Sequence, residues 1–206
     1  ADAAEGLSPF IRNFNYKNNL VCSANVINAC IKHGVKKIIF TSSMAVYGEG
    51  TPPFKETDIP HPIDPYGISK YAVELDLECA KSQFGLDYTI VRPHNVIGIR
   101  QNIWDKYRNV IGIWIRRVMI DESICIFGDG LQERALSNIK FCLEPFEKLM
   151  FNHGGEIFNL GCPKKYSLNE IADTVARVSK ELGFEPRIEH LEQRHGEAKY
   201  AYCNHD

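Results

Sequence analysis

The run Lys37-Ile38-Ile39-Phe40-Thr41-Ser42 is continuously apolar at its centre, polar at its end, and preceded by a helical pattern. A strand without alternation has no face for water. It must be covered on both sides, as parallel strands in α/β sheets are. Upstream, between Asn19 and His33, Val21, Cys22, Val26, Ile27, Ala29, Cys30 and Ile31 recur with one wide apolar face, which predicts a helix. Gly34 is placed for a left-handed stop. Downstream, Gly48–Pro65 is a loop with five prolines (Pro52, Pro53, Pro60, Pro62 and Pro65). Asp64 can cap the next helix and Pro65 suits its first position. That helix runs to about Phe84, with Gly85 ending it. Tyr88–Arg92 is the next strand, so strand, helix and strand form a right-handed crossover.

The rest of the chain is less uniform. Residues 1–18 carry little periodic signal, and Ala3-Ala4-Glu5-Gly6 reads as a strand end turning into a loop. Residues 94–122 are polar and aromatic, then helical from about Asn109. Ile124–Phe127 reads as a strand closed by Gly128-Asp129-Gly130. A helix is expected over Glu144–Asn152, a strand over Glu156–Leu160, and a short strand over Arg187–Leu191. Ser167-Leu168-Asn169-Glu170 is a capping box opening a helix that ends near Gly183.

Composition removes several function classes. A length of 206 residues allows one large domain, or one plus a small lobe. A net charge of -2 with both signs mixed leaves no basic stripe for nucleic acid. No apolar run has the length of a membrane span, and the first residues lack the basic-then-apolar order of a secretory signal. Seven cysteines, scattered and without C-x-x-C spacing, read as reduced thiols of a cytoplasmic protein. No histidine pair has ligand spacing with a third ligand nearby, so no metal is expected.

The chemistry concentrates at Tyr66-Gly67-Ile68-Ser69-Lys70 and at the strand end Thr41-Ser42-Ser43. A phenol has an ordinary pKa near 10. A lysine one helical turn away favours the phenolate and makes the tyrosine a usable acid/base. Ser43, at the carboxyl end of a parallel strand, stands where such sheets place ligands. The three together suit proton transfer on an alcohol/ketone pair. Hydride transfer at the adjoining carbon needs a nicotinamide, because no side chain accepts hydride. Taken alone, a tyrosine and lysine four apart are more often an ordinary surface pair.

These residues resemble the extended short-chain dehydrogenases/reductases, in their NAD-dependent nucleotide-sugar epimerase/dehydratase branch, and within it the UDP-glucose (UDP-galactose) 4-epimerases. The resemblance rests on Ser42-Ser43-Met44-Ala45-Val46-Tyr47-Gly48, Tyr66–Lys70, Arg92-Pro93-His94-Asn95-Val96-Ile97-Gly98 and Ile126-Phe127-Gly128-Asp129-Gly130. Phe158-Asn159-Leu160-Gly161 and Arg194-His195-Gly196-Glu197 extend it. It implies the C-terminal part of a Rossmann-type, doubly wound parallel sheet with a small mixed α/β substrate lobe. Residues 1–93 would be the remaining half of the NAD-binding domain. Residues 94–206 would be mainly the lobe, with about 131–160 returning to the sheet.

The same resemblance implies site roles. Ser43, Tyr66 and Lys70 would be catalytic. Asn18 or Asn19 would contact NAD at a helix start, together with Ser42, Tyr66, Lys70, Pro93 and His94. Asn95, Asn109, Arg134 and Arg194 would hold a UDP-sugar diphosphate, Ile126 and Phe127 would flank the uracil, and Glu197 would lie near the ribose. A homodimer through the helices near 19–33 and 66–84 is a further implication. Several departures carry meaning. Met44-Ala45 stands where the 4,6-dehydratases carry an Asp-Glu pair, which argues against elimination of water. Ala135, Lys140-Phe141 and Trp104 also differ from the usual residues and bear on fine substrate contacts. No G-x-x-G-x-x-G loop occurs in the sequence, so a fragment that binds NAD poorly is expected. The alternatives are another epimerase, reductase or decarboxylase of this family, or a non-catalytic nucleotide-sugar-binding remnant.

Overall fold

The computed structural model describes residues 3, 5–105, 107, 109–151, 154–193 and 200–203. A 3-10 turn (Glu5–Phe10) leads into α1 (Arg12–Tyr16), a π turn (Lys17–Val21) and α2 (Cys22–Lys32). β1 (Lys37–Thr41) and a 3-10 turn (Met44–Val46) precede α3 (Pro65–Phe84), β2 (Asp87–Pro93) and β3 (Val96–Ile97). Then come α4 (Val110–Met119), β4 (Ile124–Phe127), β5 (Glu133–Ala135), β6 (Ser137–Asn138) and α5 (Ile139–Phe151). β7 (Glu156–Leu160), β8 (Lys165–Ser167), α6 (Leu168–Glu181), β9 (Ile188–Leu191) and β10 (Tyr200–Ala201) follow.

β1, β2 and β7 form a parallel sheet in that order, with Ile39 opposite Thr89 and Val91 opposite Phe158. The strand at 156–160 thus returns to the sheet begun at residue 37. β1 has a strand on one side only among the described residues. Ile27 of α2, Val73, Leu77 and Ala80 of α3, and Leu86, Tyr88 and Ile90 make one buried cluster over this sheet. A second core lies in the later half of the chain. There Trp114 and Val118 of α4 and Leu168, Ile171 and Ala172 of α6 enclose Ile124 and Ile126 of β4. The Trp114 indole N–H is satisfied by the Cys125 carbonyl at 2.9 Å.

Local chemistry explains the element ends. Asp64 Oδ1 accepts from the N–H groups of Tyr66 and Gly67 at 2.8 and 3.0 Å, and Pro65 opens α3. Gly34 and Gly85 both take left-handed backbone, at φ 66° and 72°. The capping box at Ser167 and Glu170 forms in both directions.

Three expectations need correction. The first helix does not start at Asn19. α1, the π turn and α2 continue into one another through right-handed helical residues from Arg12. The strand end and loop expected at Ala3-Ala4-Glu5-Gly6 give way to 3-10 helix over Glu5–Phe10. The helix expected from Glu144 begins at Ile139, where Asn138 Oδ1 accepts from the Lys140 N–H at 3.0 Å. Pro145 lies inside that helix.

Candidate active site

The end of β1, the start of α3 and the end of β2 meet at one side of a cleft of about 2200 Å³. Residues of α4, β4 and β5 supply the other wall. Gly67 permits the meeting: a Cβ there would stand 2.5 Å from the Ala45 carbonyl oxygen. Only glycine lets the start of the helix sit so close to the strand-end turn. Ser8 ties the N-terminal segment to the same place, donating to Asp64 Oδ1 at 3.1 Å and accepting from the Tyr66 N–H at 3.2 Å.

Ser43, Tyr66 and Lys70 all line this cleft, and all three are buried. Ser43 has extended backbone and caps the turn at Met44, its Oγ accepting from the Ala45 N–H at 3.1 Å. Lys70 Nζ donates to the Thr41 carbonyl at 2.8 Å. It lies 5.7 Å from the centre of the Tyr66 ring and 4.9 Å from that of Phe40. Burial pushes the Lys70 ammonium down to about 8, against the opposing pull of Glu74. The spacing of four thus brings the lysine and the phenol to one face of α3.

The two candidate asparagines separate cleanly. Asn18 lines the cleft, with its Nδ2 on the Phe14 carbonyl. Asn19 points the other way and is buried, its Nδ2 donating to Asn15 Oδ1 at 2.7 Å. Asn15 continues to the Pro65 carbonyl and, at 3.4 Å, to Ser69 Oγ. Neither stands at a helix start, contrary to expectation, because the helix runs through them as a π turn. Ser42 and Pro93 line the cleft. His94 is buried with its ring against Gly161, where a Cβ would approach Nε2 to 1.8 Å.

Across the cleft stand Asn109, Phe127 and Arg134, while Asn95 lines it just past the end of β2. Asn109 caps α4, accepting from the Ile111 N–H at 3.1 Å. The start of that helix therefore faces the cleft, a position suited to anions. Ile126 does not flank this space. β4 alternates, so Ile124 and Ile126 enter the core while Cys125 and Phe127 face the cleft. Cys125 takes the place assigned to Ile126, since period-two geometry turns neighbouring residues to opposite faces. Arg194 and Glu197 lie outside the described residues.

Sequence reasoning missed several groups. Arg116, on the cleft side of α4, leaves its buried Nε without a partner among the described residues. Glu5 also lines the cleft. Its side chain is open to solvent there, yet protein atoms crowd it. That crowding, with Asp64 nearby and Arg134 opposing, raises its carboxyl to about 7. No periodic or motif signal marks either residue. Behind the strand end lies a third group. Glu74 holds Arg92 through Oε2 at 2.5 Å and Oε1 at 3.1 Å and accepts from the Ser42 hydroxyl.

Comparison with known proteins gives a consistent setting. The profile of the NAD dependent epimerase/dehydratase family matches residues 11–161. A putative UDP-glucose 4-epimerase of Methanocaldococcus jannaschii is 34% identical over 90% of this chain and 60% of its own length. A UDP-N-acetyl-alpha-D-glucosaminuronate decarboxylase of Bacillus cytotoxicus is 32% identical over 79% of the chain and 52% of its own length. The UDP-glucose 4-epimerase of Thermotoga maritima, solved with UDP-glucose, superposes with a TM-score of 0.91 at 31% identity, covering 99% of this chain and 66% of the other. The chain thus spans between about half and two thirds of the length of these relatives.

Proposed function

This chain belongs to the NAD-dependent epimerase/dehydratase family, and on that footing we propose that it carries the proton-transfer and substrate-holding part of a UDP-glucose/UDP-galactose 4-epimerase. The observation that carries this reading is Tyr66 and Lys70 one turn apart on a helix docked against the strand end that bears Ser43. The cleft fits the nicotinamide end of NAD. Ser42, Tyr66, Lys70 and Pro93 face it, and Lys70 is the donor for a ribose hydroxyl. NAD, when bound, supplies the hydride acceptor. No glycine-rich cradle for its pyrophosphate occurs in this sequence.

In the proposed reaction Tyr66 takes the C4 hydroxyl proton, helped by the Lys70 charge, and Ser43 donates to the same oxygen to orient it. With NAD bound as hydride acceptor, loss of the C4 hydride would complete the oxidation; the 4-keto sugar would turn over in the cleft, and Tyr66 would return the proton to O4 as the hydride came back to the opposite face of C4. Arg134, Arg116 and the start of α4 serve the diphosphate, because guanidinium forks and free helix N–H groups match its oxygens. Phe127 and Cys125 serve the uracil. Ile68, Leu75 and Phe84, apolar and exposed on α3, are offered as part of a homodimer contact. Free thiols at all seven cysteines fit a cytoplasmic setting.

A second reading within the family has its own support. The decarboxylase relative acts on a uronic sugar by its name, and Glu5 adds an acid to the cleft. The test is turnover of UDP-galactose with NAD by a protein that carries this chain within a complete NAD-binding domain, followed by product NMR. Tyr66→Phe is expected to lower C4 inversion by about 10²- to 10⁴-fold while leaving UDP binding, measured by calorimetry, unchanged. Inversion that survives Tyr66→Phe sinks the mechanism. Loss of carbon dioxide from a UDP-uronic acid instead selects the second reading.

A further inference from the structure

Tyr66, Lys70 and Glu74 follow one another at a spacing of four and share a face of α3, all buried. The first two belong to the proposed chemistry; the third has had no part in it. Glu74 does not touch the cleft. Its carboxylate accepts from the hydroxyl of Ser42, which immediately precedes Ser43. One turn back, Lys70 grips the carbonyl of Thr41. Successive residues at the end of β1 are therefore held by successive turns of the catalytic helix. The other side of Glu74 is anchored by Arg92 of β2 through two bonds. Arg92 in turn donates to Tyr47 Oη at 2.9 Å, and Tyr47 donates to Asn159 Oδ1 at 2.7 Å on β7. The clamp thus reaches all three strands of the sheet.

We propose that Glu74 is a positioning residue for the catalytic unit: by joining the Ser42 hydroxyl to the Arg92 guanidinium, it fixes the strand end from which Ser43 projects and against which Lys70 is held. A buried ion pair is weak evidence for stability, because hydrophobic replacements often fold as well. A carboxylate that spends one oxygen on the residue next to the catalytic serine has a geometric task that such replacements cannot perform. Removal of the carboxylate also acts on the lysine. The titratable groups around Lys70 are Tyr66 and Glu74 on its own helix and, behind Glu74, Arg92 of β2; β1 contributes only the Phe40 ring and the Thr41 carbonyl. Glu74 is the group that supports the Lys70 charge against burial.

The inference rests on Ser43, Tyr66 and Lys70 being the working unit, but its test does not need turnover. Glu74→Gln alone leaves Arg92 buried without its opposing charge and is expected to unfold part of the population. The informative variants are therefore the paired Glu74→Met with Arg92→Met, and the isosteric Ser42→Ala. Thermal melts of the 206-residue chain are expected to stay close to the parent for both. Amide exchange at Ala45, whose N–H is held by Ser43 Oγ, is expected to quicken about tenfold in both. The pH midpoint for acetylation of Lys70, read by peptide mass spectrometry, is expected to fall by about one pH unit in the paired variant. Folded variants with parental Ala45 exchange and a parental Lys70 midpoint overturn the proposal and reduce Glu74 to a core ion pair. Loss of the epimerase reading through the Tyr66→Phe assay would leave these two measurements intact, so the failures are separable.

Discussion

At the end of β1 the polar groups are matched to one another: Ser42 with Glu74, Glu74 with Arg92, Arg92 with Tyr47, and Tyr47 with Asn159. Across the cleft, beside α4, Gln101 Nε2 and Arg116 Nε are buried without a partner among the described residues. The two walls face the same space and follow opposite logic. An unmatched buried polar group costs about 1–3 kcal/mol, which a bound ligand with oxygens in the right places would relieve. Groups that must transfer a proton are best held rigid before the substrate arrives. On the proposed reading, the contrast separates a wall prepared for reaction from one prepared for an anionic, oxygen-rich ligand.

β4 crosses from core to cleft within one residue and offers the largest test of that contrast. Ile126→Ala is expected to cost about 2–5 kcal/mol in urea unfolding, because it empties a packed site, with UDP affinity unchanged. Phe127→Ala is expected to do the reverse, weakening UDP binding about tenfold while moving stability by less than about 1 kcal/mol. Equal effects from the two would mean that β4 does not divide core from cleft. A smaller effect is expected at the docking point of the prepared wall. Asp64→Ala removes the cap of α3 and the tie to Ser8, at about 1 kcal/mol, read as a shift of the urea midpoint at constant slope. The smallest effect concerns pH. The folded carboxyl of Glu5 titrates at about 7, above its ordinary 4.5. Its stabilising contribution is therefore complete below the ordinary value and is lost as pH rises to about 7. Stability measured across that window should decline in the parent and decline less in Glu5→Gln. An identical slope in both would remove Glu5 from the account of the cleft.

Much of this was legible from residue order alone. Asp64-Pro65 and Gly85 bracket α3, the Ser167 capping box forms as written, and the spacing of Tyr66 and Lys70 brings them to one face. Local signals suffice where capping and periodicity act within a few residues. The first helix was shortened because its early turns bury Asn15 and Asn19 rather than apolar side chains, so the hydrophobic period fades there. Ile124-Cys125-Ile126-Phe127 is apolar throughout, and nothing in its composition says which pair faces inward; that is settled by α4 and α6 closing on Ile124 and Ile126. Glu74 and Arg92 are separated in sequence and read singly as solvated charges. Their pairing exists only once α3 lies on the sheet. Arg116 and Glu5 matter through the shape of a cleft, which no local pattern encodes.

The imidazole of His94 occupies the volume that any side chain at Gly161 would need. β2 and β7 therefore interlock at their carboxyl ends like a peg and its socket. The residue after Pro93, which backs the floor of the proposed nicotinamide site without lining the cleft, cannot be altered freely without regard to a glycine more than sixty positions away. Adaptation of this floor to a different reaction would require coordinated change in both strands, whereas the opposite wall, with its unmatched amide and guanidinium groups, can be retuned one residue at a time. Divergence of substrate within such a protein should accordingly accumulate on the lobe and leave the sheet side nearly still.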